Sequence, residues 1–194
     1  MLYTLIGDDK FRAMIWDRAH ISEYVGDSDS GGDLDDRIDL RTLPKPFKQL
    51  FPEPLRVSFP ELSRQDKKKE IPDICDVQAR LFLSIRAYNA LKHLIEADGE
   101  FIPVTYEHGQ GYFFNPLNVA EDVDALNSDS SVKDDWGYVQ NLAFYEEKVK
   151  EWALFRCQFN NYASLYCSES IKKIIDEENL TGLCITSDLA AVFP

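Results

Sequence analysis

In 194 residues, 34 Asp and Glu face 21 Lys and Arg, a formal charge of −13. A field of that sign and size repels nucleic acid and anionic membrane and draws in basic partners. At 44% hydrophobic the chain can close a real core, which argues against wholesale disorder, and no run approaches the ~20 apolar residues that cross a bilayer.

Leu2 to Ile6 and Phe11 to Trp16 are short β-rich runs around Gly7-Asp-Asp9 and read as a hairpin or near-neighbour pair of strands. The first run lacks a basic start and meets Asp8 and Asp9 at once, which does not fit a secretory signal. A cytoplasmic location is the expectation. Residues 26–36 form an acidic loop with five aspartates, Asp27, Asp29, Asp33, Asp35 and Asp36, and no cation. The alternate spacing of Asp27, Asp29 and Asp33 invites a calcium reading. Gly31 in a ligand position and Ile38 where a closing glutamate belongs argue against it.

The composition then flips. Between Arg37 and Lys69 lie nine Lys/Arg and four Asp/Glu, with prolines at 44, 46, 52, 54 and 60. Proline removes backbone donors, so residues 41–72 read as a surface connector with short helical turns, pinned by Phe47, Leu50, Phe51 and Phe59. It is the natural boundary between residues 1–70, a β-rich subdomain with its basic connector, and residues 71–194. The two parts can still form one compact unit. Lys67-Lys-Lys69, flanked by Asp66 and Glu70, reads as a solvated loop more than a nucleic-acid patch.

From Ile71 the pattern sharpens. Leu81-Phe-Leu83 leads into Ser84, a helix N-cap. Ala87, Tyr88, Leu91, Leu94 and Ile95 keep helical spacing, and Gly99 is read as a left-handed helix stop. Phe101 to Tyr106 and Tyr112 to Leu117 flank Glu-His-Gly-Gln-Gly as a hairpin, with His108 in its turn. Residues 121–135 carry six Asp/Glu against Lys133 alone. Val139 to Phe144, Trp152 to Gln158 and Ser164 to Cys167 read as strands, with a turn or short helix over Tyr145 to Glu151. Ser168 caps a helix with Glu169 in its first turn and a stripe of Ile171, Ile174 and Ile175. Asn179 ends it, and Leu183 to Thr186 is a last strand. Hairpins with isolated helices and no regular βαβ alternation predict an α+β fold, mostly antiparallel sheet, and no repeat period is evident.

Reactive constellations are scarce. Cys75, Cys157, Cys167 and Cys184 form no Cys-x-x-Cys pair and sit among apolar or aromatic neighbours, as buried thiols do. His20, His93 and His108 are scattered, so no metal or cofactor is expected. No phosphate-binding loop and no nucleophile elbow occur. No catalytic residue is assigned. Trp136, after Asp134 and Asp135, is either an interface anchor or one more core aromatic.

Five segments in order, Ile71-Pro-Asp-Ile74, Leu81-Phe-Leu-Ser84, Asp98-Gly-Glu-Phe-Ile-Pro-Val104, Gly111-Tyr-Phe-Phe-Asn115 and Leu180-Thr-Gly-Leu183, resemble the bacterial immunity-protein family numbered eleven of polymorphic toxin systems, formerly a domain of unknown function. The likeness covers about residues 71–186. The family often has Phe one step beyond Thr-Gly-Leu, where this chain has Cys184 and then Ile185. The resemblance implies a cytoplasmic protein that neutralises a cognate toxin by binding it, with no catalytic residues to carry over. Many such toxins attack nucleic acid and carry basic clefts, so the implied partner is a basic, nuclease-like protein. Asp27, Asp29, Asp33, Asp35, Asp36, Asp134, Asp135 and Trp136 are the residues expected to meet it. Two other classes stay open. A hydrolase with a spatially assembled Cys/His site would show a pocket joining the two, and a structural subunit would show a large apolar patch.

Overall fold

A computed structural model describes residues 1–25, 44–48, 51, 54–64 and 66–193. The fold is α+β, with two larger sheets and one two-stranded sheet among the described residues, dominated by antiparallel pairs. Strand β1 (Leu2–Gly7) lies at the heart of the smaller sheet, while β2 (Ile15–Trp16) joins the larger one. The expected hairpin between them therefore does not form. Both faces of β1 are covered, Tyr3 and Leu5 by one core and Leu2 by another, and both of its edges are paired with strands from the far end of the chain. Between the two strands the chain turns away, and helix α1 (Arg18–Val25) follows, which the sequence reading did not foresee.

The proline-rich stretch is not all connector. Leu55, Val57 and Phe59 are buried and alternate with exposed Arg56, so β3 (Leu55–Ser58) forms. Pro54 and Pro60 flank this strand rather than interrupt it, as proline's missing donor requires. Phe47, Phe51 and Phe59 are buried as expected, whereas Leu50 is outside the described residues. A short 3-10 turn, Asp66–Lys68, precedes β4 (Ile74–Asp76).

β5 (Leu81–Ser84) runs directly into α2 (Ile85–Ile95). The Ser84 hydroxyl accepts from Ala87 N at 3.2 Å, satisfying a free first-turn donor. Ala87, Leu91 and Ile95 face the core. β6 (Gly99–Tyr106) and β7 (Gly109–Pro116) form the expected hairpin. Gly99, however, starts β6 in extended geometry and does not stop the helix in a left-handed one. It is needed because a Cβ there would fall 2.2 Å from the Asn115 carbonyl oxygen.

β8 (Val132–Lys133) forms inside the stretch read as an acidic loop, and β9 (Val139–Asn141) and β10 (Leu154–Phe155) are shorter than the runs suggested. β11 (Leu165–Ser168) leads into α3 (Glu169–Glu177), and β12 (Leu183–Thr186) follows. Ser168 holds the N-cap position, but its hydroxyl pairs with Ser170 Oγ at 2.7 Å rather than with a backbone donor.

The strand orders are β10-β11-β1-β12 and β2-β3-β6-β7-β5-β4, and β3 with β6 is the parallel pair of the larger sheet. Written this way, a duplication appears that carried no sequence period. The hairpin β4–β5 feeds α2, and the chain returns as β6 with β7 between β5 and β6. The hairpin β10–β11 feeds α3, and the chain returns as β12 with β1 between β11 and β12. Both are split β-α-β units. Ser84 N bonds Asp73 O at 2.8 Å, and Ser168 N bonds Ala153 O at 3.0 Å. Each hairpin loop contains two successive left-handed residues, Gln78 with Ala79 and Asn161 with Tyr162.

The inner faces of both sheets and both helices share one core, including Leu5, Leu83, Leu91, Phe114, Leu165 and Ile171. The outer face of the larger sheet is closed by α1 and the aromatic strap of Phe47, Phe51 and Phe59. The outer face of the smaller sheet is closed by the segment between β7 and β11. Residues 1–70 thus place β1 in one sheet and β2 and β3 in the other.

Candidate functional site

The outer segment carries one feature that packing does not explain. β8 and β9 pair Val132 with Asn141 and Lys133 with Val139, with an irregularity at Val132/Lys133. The tip, Asp134 to Tyr138, is organised by a single carboxylate. Asp134 accepts from Trp136 N at 3.0 Å, Tyr138 N at 2.9 Å and Gln140 Nε2 at 3.2 Å. Gly137 adopts φ +86°, a conformation in which side chains are strained, and its N–H returns to Asp134 O at 3.0 Å. At the root, Val139 packs against the outer core and Lys133 Nζ sits 4.7 Å from the centre of the Phe159 ring. On this braced turn Trp136 is 83% exposed and Tyr138 is 70% exposed. Of the two readings left open by the sequence, the exposed tryptophan is the one found.

The acidic residues divide by role. Asp27, Asp29, Asp33, Asp35 and Asp36 lie outside the described residues. Glu121 is structural, accepting from Gln158 N at 2.8 Å, Phe159 N at 2.9 Å and the Cys157 thiol at 3.1 Å. Asp134 is a positioning residue whose oxygens face its own hairpin. Asp122, Asp124, Asp129 and Asp135 are exposed, as is Glu147 nearby in sequence, while Glu146 pairs with the Met1 amino group at 3.0 Å. Val132 and Tyr145 are also exposed. The sequence reading did not single them out, because nothing in a β-branched or aromatic residue alone says which face it takes.

Reactive chemistry finds poor footing. Burial pushes the Cys75 thiol up to about 11 and the Cys167 thiol up to about 12, and it also raises Cys157 and Cys184. Thiols held protonated in this way are weak nucleophiles at neutral pH. One groove takes in Cys75 with Arg12, Lys69 and Asp76, and its neighbour takes in His108 with Arg12, Lys69 and Glu70. Neither joins a cysteine to a histidine. Among the described residues no three His, Cys, Asp or Glu side chains gather as metal ligands, and no helix is long and apolar enough to cross a membrane.

No protein-family model matches this chain, and no curated protein matches it.

One titratable group stands apart from the hairpin. Asp76, at the end of β4, keeps some contact with water, but its Oδ1 is sealed without a hydrogen-bond partner. Burial pushes its carboxyl up to about 7, with the Ala79 N–H and the Arg80 charge pulling the other way. Arg156 follows β10 at the position that Asp76 takes in β4, and burial and the charge of Arg80 draw it down to about 9.

A carboxyl raised from 3.8 to about 7 on folding gives stability that is fully present below the unfolded value and lost as pH rises through the folded one. Asp76→Asn should remove that slope. The variant is expected to be more stable than the parent at pH 8 by about 2 kcal/mol, roughly half the full value of the shift because the residue retains some solvent contact. The gap should close towards pH 4. Urea unfolding across that range measures it, and parallel pH profiles for the two proteins would refute the assignment.

Proposed function

We propose that this chain is a non-catalytic, acidic binding protein that neutralises a cognate bacterial toxin by direct contact, an immunity protein of the family that residues 71–186 resemble. The observation that supports it best is the braced hairpin, with Trp136 and Tyr138 held in water and the exposed carboxylates of Asp129 and Asp135 close by in sequence. Large aromatic side chains on a preorganised turn are what interface hot spots are made of. The surplus negative charge suits a partner with a basic cleft, such as a nuclease-like toxin, and raises the rate of encounter. The raised thiols weigh against the Cys/His hydrolase alternative.

The test is association with the protein encoded beside this one. Its on-rate should fall steeply with added salt, because steering contributes about ten- to a thousandfold. Charge reversal at Asp129 and Asp135 should slow association and leave the melting temperature unchanged, since both side chains are exposed. A salt-insensitive on-rate, equal for parent and variant, would remove charge steering from the account.

A further inference from the structure

The duplication offers an internal comparison. Over the larger sheet, the covering strap buries its aromatic residues: Phe47 is 0% exposed, and Phe51 and Phe59 are buried with it. Over the smaller sheet, the equivalent cover also closes a core, with Leu142, Phe144 and Val149 buried, yet it leaves Val132, Trp136 and Tyr138 in water, while Tyr145 is partly covered and carries Lys148 over its ring. Away from the two ends of the chain, the other exposed large hydrophobic residues among those described are Ile15, Leu62, Ile85 and Leu94. They are spread over β2, the connector and α2. Val132, Trp136 and Tyr138 fall within one short stretch, 132–138.

We infer that the β8–β9 hairpin forms the docking face of this protein, and that its occupant is a protein presenting an apolar slot rimmed by lysine or arginine. This rests on the binding role proposed above and adds the surface and the chemistry of the partner. The first argument is preorganisation. Asp134 fixes the tip with three accepted hydrogen bonds, so the aromatic residues pay little ordering entropy on docking. The second is payload. A tryptophan or tyrosine can bury roughly 150–250 Å², enough for an anchor with a few apolar neighbours.

Charge complementarity is the third argument and selects the occupant. Asp129 and Asp135 are exposed within or beside the hairpin, whereas Lys133, the cation on β8, is engaged over Phe159 and Lys148 is engaged by the Asp124 carbonyl and the Tyr145 ring. An acidic rim around an aromatic anchor repels phosphate, so nucleic acid does not fit. A cationic rim around an apolar slot does. A neutral lipid surface, which accepts Trp and Tyr at its headgroups, is the competing occupant and is one outcome of the test.

Random dodecapeptides displayed on phage are selected on the immobilised full chain, and the recovered peptides are titrated against the parent, Trp136→Ala and Tyr138→Ala. All three proteins should melt alike, because both side chains are exposed. The inference expects peptides that combine an aromatic or aliphatic residue with Lys or Arg, and about tenfold or weaker binding to Trp136→Ala. Basic peptides that bind all three proteins equally would overturn this face while leaving an acidic binding protein in place. Selection without enrichment of basic residues would overturn both. Saturable binding to phosphatidylcholine vesicles, lost in Trp136→Ala, would overturn the partner class.

Discussion

Replacing Asp98 with Ala is expected to cost about 3–5 kcal/mol, because three donors lose the one charged acceptor they share inside the protein. Asp98 is 2% exposed and sits between α2 and β6. Its Oδ2 accepts from Ala153 N at 2.8 Å and Leu154 N at 2.9 Å, and its Oδ1 accepts from Asn118 Nδ2 at 2.7 Å. The carboxylate therefore ties the first split β-α-β unit to the entry of β10 in the second. Burial raises its pKa and these three donors oppose the rise. Alanine would leave all three donors without their acceptor, at about 1–3 kcal/mol for each group that stays buried and unpaired.

Asp98→Asn should not rescue the loss. An amide can present its oxygen to only one side of this clasp, so its NH₂ must face either the two backbone donors or Asn118. Thermal melts of the three proteins decide it. A destabilisation of that size lowers the melting temperature of a chain of this length by roughly 10 °C. An Asp98→Asn variant that melts with the parent would show that the carboxylate is not what joins the units. The matching clasp is Asp73, whose Oδ2 accepts from Thr181 N at 3.2 Å, Thr181 Oγ1 at 3.1 Å and Arg86 at 3.0 Å. It is more exposed to water and should be worth less.

How much of this could be read from residues alone depended on how local the determining contacts are. Helix α2 was legible because Ser84, Ala87, Leu91 and Ile95 set its start and its buried face within one segment. The β6–β7 hairpin was legible for the same reason, with Gly109 at its turn. The pairing of β1 was not, because its neighbours lie more than 150 residues away in the sequence and no local pattern names them. In α1, Ile21 is the buried hydrophobic residue among those whose burial is described, too little to form a stripe. The duplication stayed hidden because packing needs only an apolar strand, a small N-cap and an apolar face. Leu81-Phe-Leu-Ser84 and Leu165-Tyr-Cys-Ser168 share just their first and last residues. At the candidate site, Asp134 with Gly137 three residues later was a usable turn signal. Whether Trp136 faced core or water was not, since that depends on what else covers the smaller sheet.

The largest single effect is expected at Gly182. It opens β12 with φ +106°, and a Cβ there would lie 2.0 Å from the Ile74 carbonyl oxygen and 2.3 Å from Pro72 Cβ. The obstruction is mostly backbone, so no side-chain rotation relieves it. Alanine must push β4 away from the start of β12, breaking Ile74 N to Thr181 O at 3.0 Å and Asp8 N to Gly182 O at 2.9 Å. Backbone strain at the positive φ adds about 1 kcal/mol or more. Gly99 holds the equivalent place at the start of β6, where a Cβ would fall 2.2 Å from Asn115 O, although its φ is unstrained. Gly182→Ala is therefore expected to abolish soluble folded protein and Gly99→Ala to come close to it. Gly137→Ala, at φ +86° but with open space around it, should cost only about 1 kcal/mol. That contrast separates steric closeness from conformational preference. Circular dichroism and soluble yield of the three variants measure it, and a Gly182→Ala protein that melts within a few degrees of the parent would mean that the two units do not meet as closely as this junction requires.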